Sequence, residues 1–545
     1  MDGSTEMKIA NKILKKVFPD ILDFRDIQLS SINKIMEKRN ALCLMPTGMG
    51  KSLIYQVAGL INGNVTIVMS PLIALMGQQV KYLNDRNIKA ISLSDFSAAK
   101  AYDELRKFRF GVEPAFIFLS PERAAFDGYL EYVLRRERKN IGLVVVDEAH
   151  CVSHWGYTFR PAYAGIPHFL NRIFGEQGWP PILCLTATLN PKDRREIQET
   201  FQINQNGVSE SQSLLRNNLR LGSEIFDNET AKKERLYQLL KKHQGEKIIV
   251  YVHRKISKKY GTRALEEEFS LRGFRSRAFD GDMDAQERSE IVDGFIKGDV
   301  DVVFATSAFG MGIDIPDIRV VIHYLLPESI EQYYQEVGRA GRDGKIAHGY
   351  LLYTPINAKV REDLIRKSVP DQGNIIKIFD KKFSIENNAI LSIHPWSDFS
   401  EENNELVIWH YLLKHNVVKI IAKGPGRLTY FEPVKGKACP EIERYGGVSK
   451  TGLILAIANK LKMPITRIIS DIYNAYHEKR LRAIRVPEKL VFFESKKEIG
   501  SVTLDKIESE IKERVESRLE GFRQLREFIE KKLSPEKVIC EYLGI

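Results

Sequence analysis

The stretch LMPTGMGKSLIYQ (residues 44–56) decides the fold of this chain. It joins a short apolar run, ALCL (41–44), to a pattern typical of a helix, so we expect a buried strand, a glycine-rich turn and a helix in succession. The turn predicts a phosphate-binding loop, because backbone N–H groups freed by glycine can surround phosphate oxygens at the start of a helix. The predicted nucleotide contacts of the loop are Thr47, Gly48, Met49, Gly50, Lys51 and Ser52.

Short runs rich in β-branched residues recur along the first 360 residues and alternate with helical patterns. Such runs are typical of parallel strands that are buried on both faces of a sheet. They form two groups separated by a polar stretch at 202–218, which predicts two tandem α/β domains. We expect the first domain at 1–205, a linker at 206–218 and the second domain at 219–358.

The pattern changes after residue 358 to lysine-rich helices with few apolar runs. We expect a connector at 359–400, a winged-helix-like region at 401–500 and a charged helical region at 501–545. In the middle of this part, GPG at 424–426 predicts the turn of a small β-hairpin that follows a helix. An ordinary α+β accessory domain is the alternative to winged-helix modules.

The composition indicates a globular protein with a polyanionic partner. Hydrophobic residues make up 43% and charged residues 28% of the chain, and the net charge is +11. A basic surface gains affinity for phosphate backbones by releasing counterions, although a merely basic protein would have the same charge. The five cysteines are scattered and form no CxxC pair, which favours a reducing compartment. We expect a cytoplasmic, nucleoid-associated protein with no membrane partner.

Two further motifs complete the predicted nucleotide site. The strand GLVVVD (142–147) ends in Asp147, which can reach Mg²⁺ partly through water, and the next residue, Glu148, can polarise an attacking water. In YYQEVGRAGRDG (333–344), Arg339 and Arg342 stand on a glycine-flanked turn that can approach the nucleotide when the domains close. The rival interpretation of these arginines is a surface ion-pair cluster.

Weaker signals flank these motifs. Arg25 and Gln28 precede the phosphate loop and are suited to the adenine edge, since an amide donates and accepts at once. HCVSH (150–154) offers metal-ligand types, but four suitably spaced ligands are not present, so we do not expect zinc there.

Together these stretches resemble the RecQ family of superfamily 2 DNA helicases. The resemblance runs from Phe24 to Gly344 and includes FRDIQ, SPLIALMGQQV, LSPER, VVVDEAHCVSHWGYTFRPAY, LTATLNP and FATSAFGMGIDIPDIRVVIHYLL. It implies two RecA-like domains with ATP and Mg²⁺ between them and 3′-to-5′ movement on single-stranded DNA. The implied catalytic residues are Lys51, Asp147, Glu148, Gln335, Arg339 and Arg342. The implied second-domain ATP contacts are Gly312 and Asp314, with Mg²⁺ held by Ser52 and Asp147.

The resemblance also assigns residues to DNA and to coupling. Thr186 and Thr188 would link the ATP and DNA sites. The implied DNA contacts are Ser70, His154, Trp155, Phe159 and Arg160. Stacking on a base is worth about 1–3 kcal/mol, so an aromatic loop beside Glu148 can make hydrolysis depend on DNA. Packing of Trp155 and Phe159 in the core is the alternative.

Three departures from the family pattern limit the resemblance. The four cysteines of the family's zinc-binding subdomain are absent after residue 358, so no structural zinc is expected. An HRDC domain has no clear match. The aromatic residue that stacks on adenine in many family members corresponds to Ile21.

The predicted activity is ATP-dependent unwinding of DNA, or translocation on it, in repair, recombination or genome defence. We expect single-stranded, tailed or forked DNA as the substrate, with protein partners as a further expectation. The GPGRLTYF segment (424–431), with Tyr430 and Phe431, is the candidate strand-separating wedge. The alternatives are an RNA helicase or remodeller and a DNA-binding translocase subunit that needs partners to unwind.

Overall fold

A computed structural model gives the fold of the chain. It describes residues 3–46, 48–94, 98–152, 161–187, 189–211, 216–252, 261–310, 315–384, 390–393, 399, 404–485 and 490–543. These residues form two parallel sheets flanked by helices, followed by a C-terminal region of helices and short antiparallel strands.

The first sheet contains the strand that leads into the phosphate loop. Its strands are β1 (Ala41–Leu44), β2 (Val65–Met69), β3 (Lys89–Ser92), β4 (Ala115–Leu119), β5 (Ile141–Asp147), β6 (Ile182–Thr186) and β7 (Val208–Glu210). They lie in the order β3, β4, β2, β5, β6, β1, β7, and every pairing is parallel. Strands β1, β2, β4 and β6 are buried at every residue, which explains their continuous apolar sequences.

Helices cover both faces of this sheet. They are α1 (Gly3–Val17), α2 (Asp26–Met36), α3 (Lys51–Asn62), α4 (Ile73–Asn84), α5 (Ala98–Lys107), α6 (Pro121–Phe126), α7 (Gly128–Arg136), α8 (Pro161–Ala164), α9 (Ile166–Phe174) and α10 (Pro191–Thr200). One core packs α1 to α4 against the sheet, and a second core packs α5, α6, α7 and α9 against its other face. Strand β7 falls inside the predicted linker, so the first sheet extends to Glu210.

The second sheet repeats this architecture. Its strands are β8 (Leu219–Ile225), β9 (Lys247–Tyr251), β10 (Ser276–Phe279), β11 (Val302–Ala305), β12 (Ile318–His323) and β13 (Ala347–Tyr353). They lie in the order β10, β11, β9, β12, β13, β8 and are also parallel. Its helices are α11 (Glu229–Lys242), α12 (Thr262–Leu271), α13 (Ala285–Lys297), α14 (Ile330–Val337) and α15 (Pro355–Lys367). The predicted tandem α/β fold is confirmed.

The C-terminal region combines helices with two small antiparallel sheets. The strands are β14 (Leu391–Ile393), β15 (Val418–Gly424), β16 (Phe431–Pro433), β17 (Leu481–Ala483) and β18 (Leu490–Ser495). The helices are α16 (Gln372–Lys382), α17 (Glu405–Lys414), α18 (Pro440–Tyr445), α19 (Ile454–Leu461), α20 (Ile465–His477), α21 (Ser501–Glu530) and α22 (Pro535–Leu543). One sheet orders its strands β14, β18, β15, and the other pairs β16 with β17.

The predicted hairpin with a turn at 424–426 is wrong. Strand β15 pairs with β18, which is distant in sequence, and not with the residues that follow it. Gly424 is required for packing, because a Cβ there would lie 2.9 Å from the side chain of Ile469 on α20. Tyr430 and Phe431 are only 8% and 4% exposed and join the core, so these two rings do not project from the surface; the role of the segment as a strand-separating wedge stays a prediction.

The C-terminal region contacts both α/β domains. Helix α20 packs on the first domain, in the same core as α5, α7 and α9. Helix α21 packs on the second domain through the apolar side chains of Leu519, Phe522 and Leu525. Arg514 of α21 also pairs with Glu196 of the first domain at 2.6 Å. None of the helices in the described residues has the length and apolar composition needed to cross a membrane.

Candidate functional site

The phosphate loop lies between β1, which is next to the edge strand β7 of the first sheet, and α3. Gly50 caps the start of α3 with a φ of 82°, and Gly48 has a φ of 79°. Residues with a side chain rarely adopt this left-handed backbone conformation, so glycine suits both positions. A Cβ at Gly50 would also lie 2.9 Å from Nε2 of Gln28. The backbone N–H groups of the loop and of the first turn of α3 therefore form a favourable site for an anion.

The side chain of Gln28 is hydrogen-bonded to the phosphate loop. Its Nε2 donates to the carbonyl oxygens of Gly50 at 3.0 Å and Met49 at 3.3 Å, and its Oε1 accepts from the backbone N–H of Arg25 at 2.8 Å. The side chain is buried, so most of its hydrogen-bonding capacity is used within the protein. Contact of Arg25 and Gln28 with adenine stays a prediction.

A cavity of about 400 Å³ adjoins the loop and is suited to a nucleobase. Arg25, Gln28 and Ile21 line it, as does the ring of Tyr82 on α4. Tyr82 stacks on Phe18, with ring centroids 6.1 Å apart, and the guanidinium of Arg86 lies over its ring. Sequence reasoning did not single out Tyr82, because a lone tyrosine on a helix is usually a packing residue.

The two carboxylates at the end of β5 face the phosphate loop. Oε1 of Glu148 lies 3.7 Å from Nζ of Lys51, which is buried and has no hydrogen-bond partner among the described residues. Asp147 accepts a hydrogen bond from Oγ of Ser70 at 3.2 Å, and its backbone carbonyl accepts one from the Tyr163 hydroxyl. Ser70 is buried and its hydroxyl contacts the Asp147 carboxylate; its contact with DNA stays a prediction.

The electrostatics of this pair favour a bound cation. Burial, reinforced by the charge of Glu148, raises the pKa of Asp147 to about 6. Burial also acts to raise the pKa of Glu148, but the positive charges of Lys51, His150, Arg339 and Arg342 hold it below its ordinary value. Lys51 and the Ser70 hydroxyl only partly offset these effects at Asp147, so its carboxylate would be further stabilised by Mg²⁺ bound with phosphate oxygens. No group of three or more acidic, histidine or cysteine ligands exists within the described residues.

His150 links Glu148 to the end of β6. Its Nδ1 lies 3.3 Å from Oε2 of Glu148 and 3.0 Å from Oγ1 of Thr186. The side chains of His150 and Thr186 are both buried, and Thr186 was predicted to connect the ATP and DNA sites. The structure thus brings that threonine into contact with His150, a neighbour of the Glu148 carboxylate.

The second domain brings the two predicted arginines to the loop. Arg339 and Arg342 follow α14, and both lower the pKa of Glu148 across the domain boundary. A Cβ added at Gly48 would lie 3.9 Å from Cγ of Arg342, so this side chain reaches the phosphate loop. Arg339 donates to the carbonyl of Gly310 in its own domain. Gln335 lies near the end of α14 and is half-buried.

Arg216 supports the arginine-bearing turn and was missed by sequence reasoning. It donates to the carbonyls of Gly338 at 2.6 Å, Ala340 at 2.8 Å and Gly341 at 3.1 Å. Asn218 donates to Gly341 as well. These residues stand in the predicted linker, where a single arginine gives no recognisable spacing.

Several predicted contacts lie outside the described residues. They are Thr47, His154, Trp155, Phe159, Arg160, Thr188, Gly312 and Asp314. Their roles stay predictions that rest on the sequence.

Comparison with known proteins identifies the family. The DEAD/DEAH box helicase family matches residues 25–197, and the helicase conserved C-terminal domain matches residues 231–344. RecS of Bacillus subtilis, a probable ATP-dependent DNA helicase, is 32% identical over 66% of this chain and 70% of its own length. The ATP-dependent DNA helicase RecQ of the same organism is 34% identical over 63% of this chain, but this chain spans only 56% of its length.

Solved structures agree with the fold. The DEAD-box helicase Mss116, bound to single-stranded RNA and UDP-BeF, superposes with a TM-score of 0.54 over 69% of this chain and 76% of its own chain, at 18% identity. This likeness concerns the two α/β domains as a fold. The match to RecS along most of its length, together with the two helicase family matches and the match to RecQ, shows that the chain belongs to the RecQ family of ATP-dependent DNA helicases.

Proposed function

We propose that this chain is an ATP-dependent DNA helicase in which hydrolysis between the two α/β domains drives movement along DNA. The observation that carries the proposal is the meeting of Lys51 and Glu148 with Arg339 and Arg342 from the other domain. Charge on a transferring phosphoryl group is stabilised best by preorganised cations supplied from both sides. Closure of the cleft therefore completes the site.

Each residue has a distinct role in this proposal. The loop amides and Lys51 bind the phosphates, and Glu148 orients the attacking water. Ser52 and Asp147 would hold Mg²⁺, which supplies charge neutralisation at the phosphates when it is bound. Arg342 and Arg339 act only in the closed state, so hydrolysis is tied to domain movement.

Coupling to DNA would pass through the segment that follows Glu148. The contact of His150 with both Glu148 and Thr186 supports this route, because a shift of the following loop would be felt at the carboxylate. In this proposal Trp155 and Phe159 stack on DNA bases. A Trp155→Ala protein would then keep its basal ATPase activity and lose stimulation by DNA.

The direction and substrate belong to the same proposal. We expect 3′-to-5′ movement on single-stranded DNA and action on tailed or forked duplexes, in repair, recombination or genome defence. The burial of Tyr430 and Phe431 favours a second candidate, a translocase that needs a partner protein to separate strands. Unwinding assays on 3′-tailed and 5′-tailed duplexes, with and without hydrolysable ATP, distinguish the two.

The test uses ATPase assays of the full chain with single-stranded DNA, RNA or no nucleic acid. Glu148→Gln should lower the DNA-stimulated turnover by about 10² to 10⁴, the usual contribution of a residue in this role, and leave ATP binding in place. Lys241→Ala, an exposed charge on α11, is the matched control and should act as wild type. Equal stimulation by RNA would favour an RNA helicase, and full activity of Glu148→Gln would refute the proposed catalytic site.

A further inference from the structure

A cleft opens where the C-terminal region meets the first domain, away from the nucleotide site. Its volume is about 730 Å³, and its walls are α7 and α9 on one side and β15 and α20 on the other. Among the described residues that line it, six are basic and one is acidic. The basic residues are Arg135, Arg136, Arg138, Arg172, Lys419 and Lys423.

The carboxylate of Glu131, at the floor of the cleft, is paired with two cations of the protein. Glu131 lies 2.8 Å from both Arg172 and Lys423, and these two cations, working against burial, lower its pKa to about 2. Lys423 and Glu131 are both buried, and Arg172 also donates to the carbonyl of Ile420 on β15. This ion triad joins the first domain to the C-terminal region, and it leaves both oxygens of the Glu131 carboxylate paired.

The rim keeps its positive charge. Arg135 and Lys419 are exposed, and neither forms an ion pair within the described residues. Arg136 donates to Oδ1 of Asn474 at 3.2 Å, and Arg138 donates to Oε1 of Gln177 at 2.9 Å, so these hydrogen bonds go to neutral groups. Glu137 lies 3.8 Å from Arg136, and the more distant carboxylate of Glu478 also acts on this arginine.

The cleft lies at the opposite edge of the first sheet from the catalytic residues. Arg138 stands three residues before Ile141, where β5 begins, whereas Asp147 ends the same strand. A strand of this length spans roughly 20 Å at about 3.3 Å per residue. The rim therefore contributes nothing directly to phosphate transfer, and its charge needs another explanation.

We propose that this basic cleft binds the phosphate backbone of DNA at a second site, outside the path through the motor. Four guanidinium or ammonium groups repel one another at one rim, and a polyanion offsets this repulsion while releasing counterions. Guanidinium groups match phosphate oxygens in geometry. The half-buried ring of Tyr132 on the wall adds an apolar surface beside them. The inference rests on the proposed function, because it takes DNA as the ligand.

The test removes two exposed rim charges and measures DNA binding by the full chain. The double variant Arg135→Ala/Lys419→Ala should bind a long labelled single strand and a tailed duplex roughly tenfold more weakly at low salt. The slope of log affinity against log salt should fall by about 1 for each contact removed. Lys241→Ala/Lys242→Ala removes the same charge from an exposed face of α11, and Arg135→Lys/Lys419→Arg keeps the rim charge. Both control proteins should bind as wild type.

The other measurements separate the possible outcomes. ATP turnover at saturating DNA should be unchanged in the rim variant. If DNA does not stimulate ATP turnover of the wild-type protein, the proposed function itself is contradicted. A salt slope equal to that of the α11 control variant would overturn the cleft proposal. If the rim variant loses affinity for inorganic tripolyphosphate but not for DNA, the occupant is a small polyphosphate and the DNA assignment is wrong.

Discussion

The first domain forms two interfaces of opposite character. Toward the second domain it presents charges, with Lys51 and Glu148 facing Arg342. Toward the C-terminal region it presents packed rings, with Tyr129 at 4.5 Å from Tyr102 and 5.3 Å from Tyr473 between ring centroids. Charged side chains can part reversibly because water solvates them when the cleft opens. Buried aromatic rings lose favourable contacts when they are exposed to water, so that separation is costly. The difference indicates one interface that opens and closes and one that stays joined.

The backbone at the second interface supports this contrast. Gly128, at the start of α7, approaches β15 so closely that an added Cβ would lie 2.1 Å from the carbonyl oxygen of Lys423. No side chain fits between two backbones at that distance. The part of the C-terminal region from β15 to α20 is therefore an extension of the first domain in packing terms, although it is remote in sequence, whereas α21 packs on the second domain.

The largest expected effect on stability comes from breaking the aromatic interface. Tyr129→Ala removes a fully buried ring and its hydrogen bond to Nδ1 of His477, and should cost about 3 kcal/mol of unfolding free energy. Denaturant titration measures this cost. Turnover per folded molecule should stay near that of wild type, and Tyr129→Phe, which keeps the ring, should cost about 1 kcal/mol. A Tyr129→Ala protein of wild-type stability would contradict the fixed interface.

A smaller effect is expected from loosening the turn that carries the arginines. Arg216→Ala removes three hydrogen bonds to the carbonyls of 338, 340 and 341, so Arg339 and Arg342 lose their fixed position. Turnover should fall by about tenfold with little change in KM, as expected when an interaction acts mainly in the transition state. Arg220→Ala, at an exposed arginine on β8, serves as the control. Equal loss in both proteins would point to a general weakening of the second domain.

The smallest expected effect is a pH dependence at the moving interface. Glu331 on α14 accepts from the backbone N–H of Asn190 in the first domain, beside Asp193 and Tyr542. Burial, with the nearby charge of Asp193, raises the pKa of Glu331 to about 8. The folded protein thus holds a proton that the unfolded chain releases near its ordinary pKa.

The proton on Glu331 determines how the stability of the folded protein changes with pH. Between the ordinary carboxyl pKa and about 8, the folded state binds more protons, so stability should fall as pH rises through this window. Thermal unfolding of wild type and Glu331→Gln across the window measures the difference. The glutamine protein should have the flatter profile, and parallel profiles would show that the Glu331 carboxyl does not titrate as described.

The two α/β domains and the phosphate loop could be predicted because their signals are local. Strands such as β1 and β6 are buried on both faces and so appear as continuous apolar runs. Strand β3 alternates between buried and half-buried residues and was not predicted. The hairpin was predicted wrongly because the partner of β15 is β18, about 70 residues away, and no local pattern encodes that pairing.

The candidate site divides in the same way. Motifs with fixed spacing contain Lys51, Asp147, Glu148 and the paired arginines, so the sequence alone singles them out as candidates. Arg216 and Tyr82 act through contacts made only in the folded chain, which is why neither stands out beforehand. Ser70 was placed on DNA by resemblance, whereas its hydroxyl contacts Asp147 in the structure.

The central claim is that the second domain completes a catalytic site whose base lies in the first. Its most direct test is DNA-stimulated ATP turnover of Arg342→Ala, measured beside the thermal stability of the same protein. We expect turnover to fall by about 10³-fold, the lower range for an arginine that stabilises the transferring phosphoryl group, with stability unchanged. Arg342→Lys should restore only part of it, since lysine lacks the planar fork. Turnover within a few-fold of wild type in Arg342→Ala would contradict the claim.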